Sequence, residues 1–144
     1  RVRVLYHDHC FDGAASAAYF SRFLRGAFYP EAEFCYTGMA HRASQIFEDS
    51  LFDGDENAIV DFKYSTDPRL TWWFDHHQSA FLNEDDAAHY RADTSGKKLY
   101  DPNYKACTAF ICAVAASIKA CGARAAAEPV AVPGVRNMPV PSAL

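Results

Sequence analysis

No Cys-x-x-Cys pair occurs in the chain, and its five cysteines (Cys10, Cys35, Cys107, Cys112 and Cys121) are odd in number and irregular in spacing. Those absences exclude a zinc ribbon and a disulfide framework as organising devices, and the expectation is a cytoplasmic protein with reduced thiols. No apolar run approaches the roughly 20 residues that a membrane-spanning helix needs. The opening Arg1-Val2-Arg3-Val4-Leu5-Tyr6 has the pattern of a strand rather than of a signal peptide, so no membrane partner is expected. A basic stripe is lacking too. The 14 Lys and Arg are scattered among 18 Asp and Glu, giving a net charge of −4 and a pI near 5.8. Tight capture of long duplex nucleic acid is thereby disfavoured, and a small anionic ligand held through metal fits better. There is no internal repeat.

What is present is enough apolar material for one domain: 144 residues, 50% of them hydrophobic, can bury a core without disulfides or structural metal. Val2, Val4 and Leu5 lead into Tyr6-His7. After Asp12-Gly13, Ala17, Phe20, Phe23, Leu24 and Ala27 recur at helical spacing. A short aromatic run from Ala32 to Thr37 predicts a second strand, and Ala43, Ile46 and Phe47 predict a helix ending before Phe52-Asp53-Gly54. Ala58-Ile59-Val60 and Leu70-Thr71-Trp72-Trp73-Phe74 read as buried strands. The stretch from Phe81 to Pro102 reads as polar and irregular, and Cys107, Phe110, Ile111, Val114, Ala115, Ile118 and Cys121 mark one face of a long helix.

Strands alternating with helices predict an α/β fold, a doubly wound and mainly parallel sheet with helices on both faces, because parallel neighbours need a crossover long enough for a helix. The domain is expected to span residues 1–127. Residues 128–144, which hold four of the seven prolines, are expected to form a Pro-rich disordered tail.

Ligands of open parallel sheets bind at the C-terminal ends of the strands. Here three predicted strands run into metal-binding residue types: His7 to Asp12, Asp61, and Asp75-His76-His77. Carboxylates and imidazoles with one thiol suit Mn²⁺ or Mg²⁺ better than a structural zinc. Gly13 is expected to let backbone approach an anion at a helix N-terminus. Each feature also has a plain structural reading, since Asp12 is a common kind of helix cap, Asp61 a turn opener and a His-His pair an ordinary loop feature. Their convergence favours a site.

His7-Asp8-His9-Cys10-Phe11-Asp12-Gly13 resembles the first motif of the DHH-family phosphoesterases in a His-x-x-Cys-x-Asp-Gly form. Val60-Asp61-Phe62-Lys63-Tyr64-Ser65 resembles the second, and Phe74-Asp75-His76-His77-Gln78-Ser79-Ala80 is similar to the third. The resemblance runs over roughly residues 1 to 121. It implies a metal-binding hydrolase that cleaves phosphoester bonds of short oligonucleotides, cyclic dinucleotides or similar small phosphorylated substrates with a two-ion manganese centre, Mg²⁺ or Zn²⁺ being alternatives. By position it implies His7 on one ion, Asp12 on the other, Asp61 bridging, and His76 on the second. His77 would touch the scissile phosphate, and Asp75 would orient the histidines. Cys10 stands where many members have an Asp, which makes it a softer candidate ligand. No acidic residue after Glu128 corresponds to the family's fourth motif, and its C-terminal substrate domain has no counterpart. An incomplete domain of low activity is therefore expected. A non-catalytic metal-dependent nucleotide-binding or protein-interaction module, or a truncated product, are the alternatives. The sequence leaves a homodimer open.

Overall fold

The computed structural model describes residues 1–40 and 47–121. In chain order they form β1 (Val2–His7), α1 (Phe11–Ala27), β2 (Phe34–Met39), a single 3-10 turn at Asp49–Leu51, β3 (Glu56–Val60), β4 (Trp72–Asp75), α2 (Glu84–Ala92), β5 (Lys98–Tyr100) and α3 (Cys107–Cys121). All pairings are parallel, in the order β2-β1-β3-β4-β5. The doubly wound α/β expectation holds.

Strand periodicity sorts the core into two layers, since alternate residues point to opposite faces. Val2, Val4, Ala58, Val60, Trp72 and Phe74 turn to one face, where α1 (Ala17, Phe20, Phe23, Leu24) and α3 (Cys107, Phe110, Ile111, Val114) cover them. Leu5, Ile59, Trp73 and Tyr100 turn to the other, beneath Phe62, Tyr64 and the α2 residue Tyr90. At roughly 1.5–3 kcal/mol for each large apolar side chain fully buried, these layers supply the main driving force for folding.

The segment read as irregular between Phe81 and Pro102 contains both α2 and β5, and that reading is corrected. α2 turns only Ala87 and Tyr90 into the core, so its apolar periodicity is weak. Its start is set chemically: the Asn83 side chain accepts the Asp86 N–H at 2.9 Å, and Glu84, Asp85 and Asp86 complement the N-terminal partial charge. β5 is three residues long and pairs with β4 alone. Of the helix expected from Ala43 to before Phe52, residues 43–46 lie outside the described residues, and the remainder holds only the 3-10 turn at Asp49–Leu51. The tail at 128–144 also lies outside the described residues.

The pairing register fixes the site. Tyr6 lies beside Val60 and Val60 beside Phe74, so the strands end level, and the next residue of each is His7, Asp61 or Asp75. Neighbouring parallel strands stand about 4.8 Å apart. These three residues therefore form a row along the C-terminal edge, with His7 and Asp61 flanking the β1/β3 boundary where the strand order reverses.

Candidate metal centre

Asp61 is the middle of this row, with a side chain only 1% exposed. Its backbone takes a left-handed conformation (φ 57°) as β3 ends, a conformation that Asp tolerates better than most residues, and its N–H donates to the Phe74 carbonyl at 2.8 Å. The carboxylate meets imidazoles on two sides. Oδ2 lies 3.6 Å from His7 Nδ1, whereas Oδ1 lies 3.3 Å from His76 Nε2 and 3.9 Å from His77 Nδ1. Among the described residues, neither Asp61 oxygen has a hydrogen-bond partner. An ionised carboxylate removed from water without hydrogen bonds is heavily penalised unless positive charge sits beside it.

The donor spacing fits that charge being a cation. Adjacent ligands of an octahedral ion with bonds of about 2.1 Å stand about 3 Å apart, close to the separations around Asp61. Among the described residues, two groups of donors are compact enough to close on an ion, and they share this residue: His7, Cys10 and Asp61 form one, and Asp61, Asp75, His76 and His77 the other, each with ligand atoms within 4.8 Å of one another. The residues present fit a divalent cation.

The histidines are held from behind. His76 Nδ1 is 2.8 Å from the Tyr104 carbonyl, which can only accept, so Nδ1 carries the proton and Nε2 is directed at Asp61. His77 Nδ1 is 2.7 Å from Asp75 Oδ1, and the same oxygen accepts the His76 backbone N–H at 2.8 Å. Tyr100 closes the arrangement by donating its hydroxyl to the His77 carbonyl at 3.0 Å. The Asp61 carboxylate beside it pushes His76 up to about 9, against its burial. Asp75 likewise raises His77. Burial drives the Asp75 carboxyl up, and its bonds from His77 and His76 only partly oppose this.

Asp12 joins this cleft differently. Its Oδ2 comes within 3.6 Å of His76 Nε2, but it falls outside both ion-sized groups. Asp12 also sits inside α1 rather than capping it. Its carboxylate caps α3, with Oδ2 accepting from Cys107 N at 2.7 Å and Oδ1 from Thr108 N at 3.0 Å. Burial would raise its carboxyl, yet these bonds, the Thr108 hydroxyl and the charge of His76 together hold it below the ordinary range.

Gly13 seats α1 on the sheet. The close approach it permits is to β1, because a Cβ there would collide with the His7 carbonyl oxygen and stand 2.9 Å from the His7 Cβ. Tyr104, Thr108 and Tyr100 were missed as contributors, for they act through a backbone carbonyl or through partners distant in sequence.

No protein-family model matches the chain, and no curated protein and no solved structure matches it. Among the described residues, no helix is long and apolar enough to cross a membrane.

Proposed function

We propose that this chain carries a metal-dependent phosphoesterase centre of the DHH type, acting on short oligonucleotides, cyclic dinucleotides or similar small phosphorylated compounds. The observation that carries the reading is Asp61: a buried carboxylate with neither oxygen hydrogen-bonded, between imidazoles from two other strand ends. A structural aspartate would ordinarily be hydrogen-bonded. A carboxylate that holds metal ions would be left without hydrogen bonds in this way.

Bound divalent cations, with manganese the first candidate, would supply positive charge to activate water and to stabilise phosphoryl oxygens. Asp61 would hold them, with His7 and Cys10 on one side and His76 on the other, and Asp12 at the edge. His77 keeps its Nδ1 proton on Asp75, which leaves Nε2 as the ring nitrogen that would act on a phosphoryl or leaving oxygen. Its raised basicity suits it to hand a proton to that oxygen from Nε2. Asp75 positions the ring.

The test is hydrolysis of a 5′-phosphorylated diadenylate by the full chain with Mn²⁺, with AMP release followed chromatographically. Chelation should stop release, and fresh Mn²⁺ should restore it. Release that continues unchanged after Asp61→Ala would sink the proposal. A second reading, a metal-dependent nucleotide-binding module without turnover, is favoured by one observation: both Asp12 oxygens are engaged by α3, which leaves that side of the centre with fewer uncommitted donors. Metal-dependent AMP binding without hydrolysis would select it.

A further inference from the structure

We propose that the centre is chemically divided: the half built by His7, Cys10 and Asp61 takes a thiophilic ion of the zinc class, and the half built by Asp61 and His76 takes a hard ion of the manganese class. This rests on reading the cluster as a metal centre, but not on its acting upon a phosphoester.

The two halves differ in donor chemistry. One group offers imidazole, thiol and carboxylate, the other only carboxylate and imidazole. Asp61 serves them through different atoms, Oδ2 facing His7 and Oδ1 facing His76 and His77. A thiolate favours zinc-like ions, whereas carboxylate and imidazole accept Mn²⁺. Three protein donors of the N, S and O kinds also match a catalytic zinc site, which keeps its fourth position for water or substrate.

Cys10 has no competing structural duty. It occupies the cap position of α1, a place that Ser, Thr, Asp and Asn fill far better, and its side chain makes no capping hydrogen bond. The other described cysteines are placed otherwise. Cys107 is buried, with its thiol donating to the Phe74 carbonyl at 3.4 Å, and neither Cys35 nor Cys112 belongs to an ion-sized group. A buried carboxylate with no hydrogen-bond partner among the described residues lies beside Cys10 and supplies the second, independent sign of a cation. On binding, the thiol proton passes to buffer and the thiolate sulfur bonds the ion, with no change of oxidation state.

The experiment is a Co²⁺ titration of the full chain, because cobalt bound by thiolate gives a near-ultraviolet charge-transfer band that cobalt on oxygen and nitrogen does not. The band should rise with the first equivalent. It should persist in the double variant Cys35→Ser, Cys112→Ser and vanish in Cys10→Ser. With Zn²⁺ and Mn²⁺ supplied together, wild-type protein should hold one of each by elemental analysis, and Cys10→Asp should shift the Zn²⁺-over-Mn²⁺ preference by more than about tenfold towards manganese. Absence of the band from wild type, or its survival in Cys10→Ser, overturns the proposal. Should Cys10→Ser not fold, alkylation of wild-type Cys10 read by mass spectrometry decides: protection by Zn²⁺ supports the division, and an unchanged rate removes it. Two Mn²⁺ held without a band, in a protein that hydrolyses the diadenylate, would leave the phosphoesterase reading standing and this one overturned. A band in a protein that hydrolyses nothing would do the reverse.

Discussion

Asp12 holds Thr108 across 96 positions of sequence, accepting both its backbone N–H at 3.0 Å and its hydroxyl at 2.6 Å on Oδ1. With Cys107 N on Oδ2, the carboxylate caps α3 from the first turn of α1 and ties the two helices together at the site. Asp12→Asn keeps the shape but puts an amide NH₂ against N–H donors, and loss of a cap and a charge-assisted bond should cost about 2 kcal/mol. The expected outcome is a fall of roughly 5–10 °C in the melting temperature of the metal-free protein. An unchanged melting temperature would show that the cap contributes nothing. The sign in pH follows from a depressed carboxyl: its contribution is present above the ordinary aspartate value near 3.8 and is lost as pH falls through the lower folded value. Wild type and Asp12→Asn should therefore converge in stability in acid.

Most of the sheet was legible, because β1, β3 and β4 are short buried runs ending in chemistry-bearing residues, and α1 and α3 carry strong apolar faces. α2 and β5 were not. Two buried residues on α2 and three residues in β5 give periodicity too little to work on, although Asn83 followed by three acids was a readable start signal. At the site, level strand ends bring His7, Asp61 and Asp75 together, which strand-end reasoning anticipates. The capping of α3 by Asp12 and the seating of His76 on the Tyr104 carbonyl depend on contacts with the last helix and the turn before it. No local pattern encodes these.

Asp61→Ala and His77→Ala should separate holding the ions from acting on substrate. Asp61 faces both donor groups, so its removal should abolish the Mn²⁺-induced rise in melting temperature. It should also lower the stability of the metal-free protein near neutral pH, because the His76 imidazolium loses the carboxylate that favours its proton. His77→Ala should keep the Mn²⁺-induced rise and lower turnover by roughly 100-fold or more, as expected for a lost general acid. If Asp61→Ala retains the full rise, the ion does not bind at this carboxylate.

Gly13→Ala tests whether the seating of α1 on β1 sets the position of His7. The added methyl meets the His7 carbonyl, which belongs to the sheet and cannot swing aside as a flexible side chain would. Overpacking of this kind typically costs about 1–3 kcal/mol. Because the displaced residue is a candidate ligand, metal affinity should fall together with stability. Gly26→Ala, inside the same helix and with nothing within 4 Å of a Cβ, is the control and should leave metal affinity unchanged while slightly raising stability.

Metal uptake should be proton-linked through His76. Asp61 raises this imidazole to about 9, above the ordinary 6.5, so in the metal-free protein the charged pair contributes stability fully below 6.5 and loses it as pH climbs through about 9. A metal needs the Nε2 lone pair that the proton occupies. Binding below about 9 must expel that proton, and affinity should climb by about tenfold per pH unit for this one group before levelling off. The two effects have opposite signs: alkali weakens the empty site and strengthens the filled one. The Mn²⁺-induced rise in melting temperature should therefore be larger at pH 8.5 than at pH 6.5. Calorimetry in two buffers of different ionisation enthalpy should count at least one proton released per ion near pH 7.5. An affinity flat across that range would mean that the ion does not compete for His76 Nε2, and would place its ligands elsewhere.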